Sequence, residues 1–461
     1  METKAKKKWK TPHTFVILVV IILIAAAATY IVPAGEFTRF KDAATGKTLV
    51  EAGSYHRIAS SPLNPLKIPS AIYTGIVKSA STITFMLIIG GAFQVSTGAL
   101  TALCKKLSKT FSKHKYVVIP VFLTLFSIFG FTMGMSSEVM IFVPIGITLA
   151  LFLGLDKVTG TAMIALGAAV GFTAGLLNPF NVGVAQDIAE LQLFSGMAYR
   201  VFILVVLLAA TSAYIICYAR KVAAHPEKSV IYGIPEDQEY TFDNATDTIT
   251  VRQIAVLIVM ALGFGILIYG LSKKGWYFEE MSGLFIFMGV ICGFISGYGP
   301  SRIAREFGEG AKGIIVGCLI IGIARTVEVI LSDANILDTI VYGIVNIVNV
   351  MPDSIKAVGM FLCQSLINCV IVSGTGQAAV TMPLMVPVSD LVGISRQTSV
   401  LAFQLGDGFS NSVLPMSSSL MGYLAVSKIP YSKWLKFMMP LFLIWTALGC
   451  LFMLGALMIG Y

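Results

Sequence analysis

The sequence predicts an all-α polytopic membrane protein built from two inverted-topology repeats with interrupted helices. Three observations predict it. Of 461 residues, 56% are hydrophobic and only 12% are charged, against about 25% charged in a soluble domain. Apolar runs such as Thr14 to Val32 exceed the roughly 18 residues that distinguish a spanning helix from a buried core helix. The second half of the chain also repeats signatures of the first, and a repeat fixes an architecture before any motif is interpreted.

The net charge of +9 lies at helix ends and in short loops. It therefore reports topology and is not an aromatic-interleaved nucleic-acid patch. The seven cysteines stand singly, and His13, His56, His114 and His225 all fall outside the apolar spans, so the pattern implies no metal, haem or other cofactor. Five lysines (Lys4, Lys6, Lys7, Lys8, Lys10) precede the first apolar run without an A-x-A cleavage site. This predicts a retained first helix over 14–33 with a cytoplasmic N-terminus in a bacterial inner membrane.

The segment 35–65 is then external, which makes residues 1–65 an N-terminal helix plus loop. Repeat 1 occupies 66–220: an amphipathic stretch over 69–79, a span over 82–102 ending in a lysine-rich inside loop, a span from Tyr116, an irregular region, and a span over 200–218. Residues 221–300 hold a cytoplasmic loop and two connecting helices, 252–272 and 281–298. Repeat 2, 301–461, begins with an amphipathic stretch, 301–312.

Leu87-Ile88-Ile89-Gly90 matches Leu319-Ile320-Ile321-Gly322, Gly171-Phe172-Thr173 pairs with Gly408-Phe409-Ser410, and Asn178-Pro179 pairs with Leu414-Pro415. The lysine-rich loop 105–115 corresponds in the second copy to an acidic one with Asp333, Asp338 and Asp353. Opposite loop charge at equivalent positions predicts that the copies are inverted in the bilayer.

Each copy carries two places where Gly, Ser, Thr, Asn and Pro break the apolar run: 134–138 with 175–181, and 373–377 with 406–419. Non-helical backbone at membrane depth survives only where protein or water satisfies it, so the four breaks are expected to converge on one polar cavity. Single small residues are as well explained by close helix packing. Two symmetric pairs of breaks are not.

Glu138 and Asp407 sit at these breaks, and a carboxylate at a helix centre costs about 3 kcal/mol on the insertion scale. Ser136, Ser137, Asn178, Pro179, Asn181, Thr375, Gly376, Gln377, Ser410, Asn411 and Ser417 complete the candidate substrate-binding set, supplying carbonyls, amides and hydroxyls. Arg325 and Glu328, three residues apart on one helix, are expected to satisfy each other. No lysine lies in the four segments.

With these residues in hand, the chain resembles the YfcC-type members of the DcuC (C4-dicarboxylate uptake) family, within the ion transporter superfamily. The resemblance spans nearly the whole length. It rests on Thr11-Pro12-His13-Thr14, Ile31-Val32-Pro33-Ala34-Gly35, Leu177-Asn178-Pro179-Phe180-Asn181, Ser373-Gly374-Thr375-Gly376-Gln377-Ala378-Ala379 and Phe403-Gln404-Leu405-Gly406-Asp407-Gly408-Phe409-Ser410.

It implies a transport domain holding a small molecule between two re-entrant hairpins, near 120–145 and 360–387, with broken helices near 171–186 and 404–420. That domain would move as an elevator beside a scaffold that commonly dimerises. The family name implies dicarboxylates, whereas YfcC-type carriers are also similar to arginine/ornithine exchangers. Glu138 and Asp407 without a cavity lysine favour a basic amino acid. The alternatives are a proton- or sodium-coupled dicarboxylate carrier and another amino-acid or peptide carrier. An intramembrane enzyme would need a catalytic constellation, and the sequence has no HExxH motif and no membrane-embedded histidine.

Overall fold

A computed structural model describes residues 14–41, 48–234, 249–274 and 276–461. The N-terminal lysines and the Thr11-Pro12-His13 part of the opening motif lie outside the described residues, as does most of the polar loop before Thr250. The described chain is helical apart from four short strands. Eight of its helices are long and apolar enough to cross a membrane, or nine if a bent pair counts as one span.

Helix α1 (Thr14–Ile31) is followed by two small antiparallel pairs, β1 (Gly35–Glu36) with β4 (His56–Arg57) and β2 (Arg39–Lys41) with β3 (Thr48–Val50). The sequence predicts only an external loop here. These strands are too short to carry a periodic pattern, and they hold together because they dock on a partner distant in sequence. The Asp338 carboxylate accepts from the Arg39 guanidinium at 2.7 Å and from the Phe37 amide at 3.1 Å, while Tyr55 stacks on Tyr342 with centroids 4.1 Å apart.

Asp338 is thus buried and paired, not part of a free acidic loop. Because Arg39 keeps 40% of its side chain exposed, screening limits the pair. The buried acceptor still matters, so Asp338→Ala is expected to destabilise the protein by about 1–2 kcal/mol. A fall of several degrees in the melting temperature of detergent-solubilised protein would show it, and an unchanged melting temperature would refute it.

Repeat 1 opens with α2 (Ile68–Lys78), bent 59° from α3 (Ala80–Phe111). Most of the lysine-rich segment continues α3 as its last turns. Next come α4 (Val118–Met133), a 3₁₀ turn over 137–142 and α5 (Val143–Phe152). The interrupted pair α6 (Lys157–Ala174) and α7 (Val182–Ile188) and then α8 (Met197–Ala224) complete the copy. Helices α9 (Val251–Tyr269) and α10 (Phe278–Ile295) connect the copies.

Repeat 2 opens with α11 (Pro300–Asp333), a continuous helix of 34 residues. The amphipathic stretch 301–312 and the following span are therefore one element: no proline interrupts the change from charged to apolar, and Gly308, Gly310 and Gly313 are absorbed within the helix. After α12 (Leu337–Asn349) the order of repeat 1 returns: α13 (Asp353–Ile367), α14 (Gly374–Leu391), the interrupted pair α15 (Arg396–Ser410) and α16 (Ser418–Ser427), and α17 (Tyr431–Ile459).

Counting α3, the interrupted α6–α7 pair, α8, α9 and α10 as crossings and the α4–α5 hairpin as a return, five crossings separate the start of α3 from that of α11. An odd number inverts the second copy. The packing carries the same symmetry. A Cβ added at Gly90 would lie 2.8 Å from the Gly310 carbonyl oxygen, and one at Gly75 would lie 2.7 Å from the Gly322 carbonyl oxygen. Gly90 and Gly322 are the matching glycines of the Leu-Ile-Ile-Gly repeat, so α11 crosses the α2–α3 arm at two related points where only hydrogen fits. On α11, Arg325 pairs with Glu328 at 2.9 Å, as the spacing implied.

Helices α6 and α15 are the central elements. Fifteen of the 18 residues of α6 are buried, as is every residue of α15 except Arg396. A helix buried all round must be enclosed by others. The two broken helices therefore form the interior, with the hairpins α4–α5 and α13–α14 against them.

Candidate functional site

The helix breaks are made by local chemistry. Gly175, at φ +56°, ends α6 in the left-handed region that a side chain disfavours, and Pro179 cannot donate to a helical ladder. In the second copy, Asn411 to Ser417 separates α15 from α16, and Ser417 caps α16 by accepting from the Leu420 amide. The hairpin turns follow the same logic: Gly134 is left-handed at φ +64°, and Ser373 caps α14 through the Gly376 amide at 3.3 Å.

Each hairpin tip crosses to the broken helix of the other copy. The α13–α14 tip reaches the first break: the Thr375 hydroxyl donates to the Phe180 carbonyl at 2.6 Å. The α4–α5 tip reaches the second: the Ser136 and Ser137 hydroxyls each lie 2.9 Å from the Ser419 hydroxyl, and Tyr423 donates to the Ser136 carbonyl. Residues on opposite sides of the repeat thereby meet.

Asp407 is the centre of one cluster. It is fully buried and accepts from the Asn181 amide and from the Asn411 amide at 3.0 Å. Asn368 donates to the Asp407 carbonyl at 3.2 Å and to the Ser410 hydroxyl at 2.7 Å. Next to it, Gln377 donates to the Gln364 carbonyl at 2.9 Å, tying the two arms of the hairpin, and Gln364 packs on Gly406.

Among the described residues no lysine or arginine pairs with Asp407. Three buried acceptors in the same cluster, Asn181 Oδ1, Asn368 Oδ1 and Gln377 Oε1, have no hydrogen-bond partner. An unpaired carboxylate among unpartnered oxygens is a site short of positive charge.

Glu138 belongs to a second cluster. It accepts from the Ser136 amide at 3.0 Å and is half-buried, with the hydroxyls of Tyr423 and Tyr277 as electrostatic neighbours. A small cavity of about 20 Å³, lined by Ser136, Asn411, Ser412, Ser419, Tyr423 and Trp434, lies between the two clusters and meets the first through Asn411. The breaks meet as two polar centres with one connection, where the sequence reading had expected a single cavity.

Of the sequence candidates, Asn181, Asp407, Ser410 and Asn411 share the Asp407 centre with the Thr375 and Gly376 tip. Asn178 is buried beside Gly134, whereas Pro179 is exposed. Ser136, Ser137 and Glu138 form the other centre, Gln377 is a hairpin tie and Ser417 a helix cap. Sequence reasoning missed Asn368, Gln364 and Tyr423. Asn368 interrupts an apolar run at the end of α13, but the glycines of 373–377 made the stronger break signal five residues on.

Residues 11–458 match the family model of the C4-dicarboxylate anaerobic carriers, DcuC. The chain is 30% identical to an Escherichia coli K12 protein described as "Putative basic amino acid antiporter YfcC", over 100% of this chain and 99% of that one. It is 27% identical to a Haemophilus influenzae protein over 99% and 98% of the two.

Among solved structures it is similar to the Alcanivorax borkumensis YdaH transporter (TM-score 0.46, 14% identity, covering 98% and 99% of the two chains). It is also similar to Neisseria gonorrhoeae MtrF (TM-score 0.42, 17% identity, covering 97% and 94%). On the full-length family match and the relative at 30% identity, the chain belongs to the DcuC family of membrane transporters.

Proposed function

We propose that the protein exchanges basic amino acids of the arginine/ornithine type across a bacterial inner membrane, by elevator-like alternating access. The observation that carries this reading is the Asp407 centre, a buried carboxylate with only amide donors and three unpartnered oxygens around it. A guanidinium or ammonium group supplies the missing positive charge and donors in one step, and a bidentate guanidinium suits a carboxylate best. A dicarboxylate would bring more acceptors to a centre whose unpartnered groups are mostly acceptors. The name of the E. coli relative points the same way.

In this reading the two hairpins and two broken helices move as a body against α3 and α9–α11, the N-terminus is cytoplasmic, and the scaffold forms a homodimer. The test is uptake of labelled arginine into proteoliposomes, with arginine, ornithine or nothing inside, beside labelled succinate. Arginine uptake that requires an internal basic amino acid is expected. Succinate uptake with arginine inert would overturn the reading in favour of dicarboxylate transport, for which the family is named.

A further inference from the structure

The two copies differ in charge at their breaks. Gly171 pairs with Gly408 in the repeat, so Asp407 has Val170 as its counterpart, and the first break lacks a carboxylate. What it has is Arg200. Arg200 is the fourth residue of α8, and Trp434 is the fourth residue of α17. Arg200 Nη1 donates to the Ala174 carbonyl at the end of α6 (3.4 Å), and Trp434 Nε1 donates to the Ser412 carbonyl just past the end of α15 (3.1 Å).

In the repeat frame these contacts fall one residue apart. Each broken helix is therefore held at the end of its first half by a side-chain N–H from the last helix of its copy, one cationic and the other neutral. Arg200 is fully buried, and no side-chain carboxylate pairs with it among the described residues. Its Nε and Nη2 have no hydrogen-bond partner, although the Tyr461 hydroxyl approaches the guanidinium.

A helix C-terminus carries about half a negative charge and repels anions. Arg200 cancels that field at α6, immediately before the break that holds Asn178. There Asn178 Nδ2 is a buried donor without a partner, its Oδ1 being taken by the Phe180 amide at 3.0 Å. Beside the first break three unpartnered donors (Asn178 Nδ2, Arg200 Nε and Nη2) stand against one unpartnered acceptor, Gln404 Oε1, whereas around Asp407 three unpartnered acceptors (Asn181 Oδ1, Asn368 Oδ1, Gln377 Oε1) stand against one donor, Gln364 Nε2.

We infer that Arg200 is the positioning residue that gives the site its polarity: it makes the Asn178 end of the first break carboxylate-facing, while the Asn181 end, in contact with Asp407, faces the cation. This rests on the basic amino-acid reading and assigns the orientation of the zwitterion within it. Arg200 acts through the α6 terminus and Asn178 without touching the substrate, so it selects between molecules that share a guanidinium and differ in the carboxylate.

The test compares arginine with agmatine, its decarboxylated form, in arginine-loaded proteoliposomes carrying wild type, Arg200→Gln or Arg200→Lys. Wild type is expected to prefer arginine. In Arg200→Gln the KM for arginine rises about tenfold with maximal rate little changed, while the KM for agmatine stays put. Arg200→Lys keeps the charge and retains most of the preference, which also decides the matter if the Gln variant fails to reach the membrane.

Equal changes for both substrates in Arg200→Gln, or a Lys variant that loses the preference, would overturn the inference alone. A wild type inert to both substrates would overturn the functional reading, and the inference with it.

Discussion

Asp407→Asn is expected to lower arginine exchange by roughly 100-fold or more, because truncating one partner of a buried, hydrogen-bonded charge pair costs about 2–5 kcal/mol. The substitution is close to isosteric and leaves the packing of α15 intact. It replaces one carboxylate oxygen with an amide, which then confronts the donors of Asn181 and Asn411. Arginine binding to the purified variant separates two roles. If Asp407 holds the substrate cation, binding falls with exchange. If it serves a coupling ion, binding persists and only the ion dependence of transport is lost.

Glu138→Gln is expected to cost much less, several-fold, since Glu138 is half-buried and already accepts from the Ser136 amide. Nothing in the sequence ranks the two carboxylates. The structure does, by burial and by the company of unpartnered oxygens. Normal exchange in Asp407→Asn would remove the main support for a basic substrate.

Legibility in the sequence followed from how local each signal was. Spans such as α1, α8 and α10 were found because about 18 apolar residues declare themselves against a polar background. The interrupted helices were found because Gly, Pro and Asn at membrane depth conflict with a helical ladder. The β1–β4 segment was not found, because its order depends on Asp338 and Tyr342, some 300 positions away. Nor was the continuity of α11, because a change of polarity at Gly308, Gly310 and Gly313 imitates a boundary.

In the site, Asp407 and Asn181 were named from their breaks alone, but their contact across 226 positions belongs to the fold of the whole chain. Arg200 stands at the first position of the span predicted over 200–218, where nothing in the sequence singles it out. Its meaning depends on the unsatisfied carbonyl of Ala174, and backbone groups left open by a break are invisible in a sequence.

Gly317→Val is expected to cut exchange at least about tenfold while arginine still binds with near-normal affinity, if the protein works by sliding one domain on another. Gly317 lies on α11, in the proposed scaffold, and faces Ala425 on α16, which follows the second break in the proposed moving body. A Cβ at Gly317 would overlap the Ala425 side chain, with the Ala425 Cα only 2.7 Å away. Backbone on both sides leaves no flexible side chain to yield, so a larger residue must separate the helices or shift them along each other.

The site itself, at Asp407 on α15 and at the hairpin tips, makes no use of Gly317. A wedge at a sliding interface favours one position of the elevator and slows the passage between the two, which separates binding from turnover. Were the binding body fixed and only a hairpin opened, the same wedge would leave exchange rates near wild type. The decisive comparison is equilibrium arginine binding against exchange rate for the same preparation, with binding kept and exchange lost as the outcome that supports a moving domain.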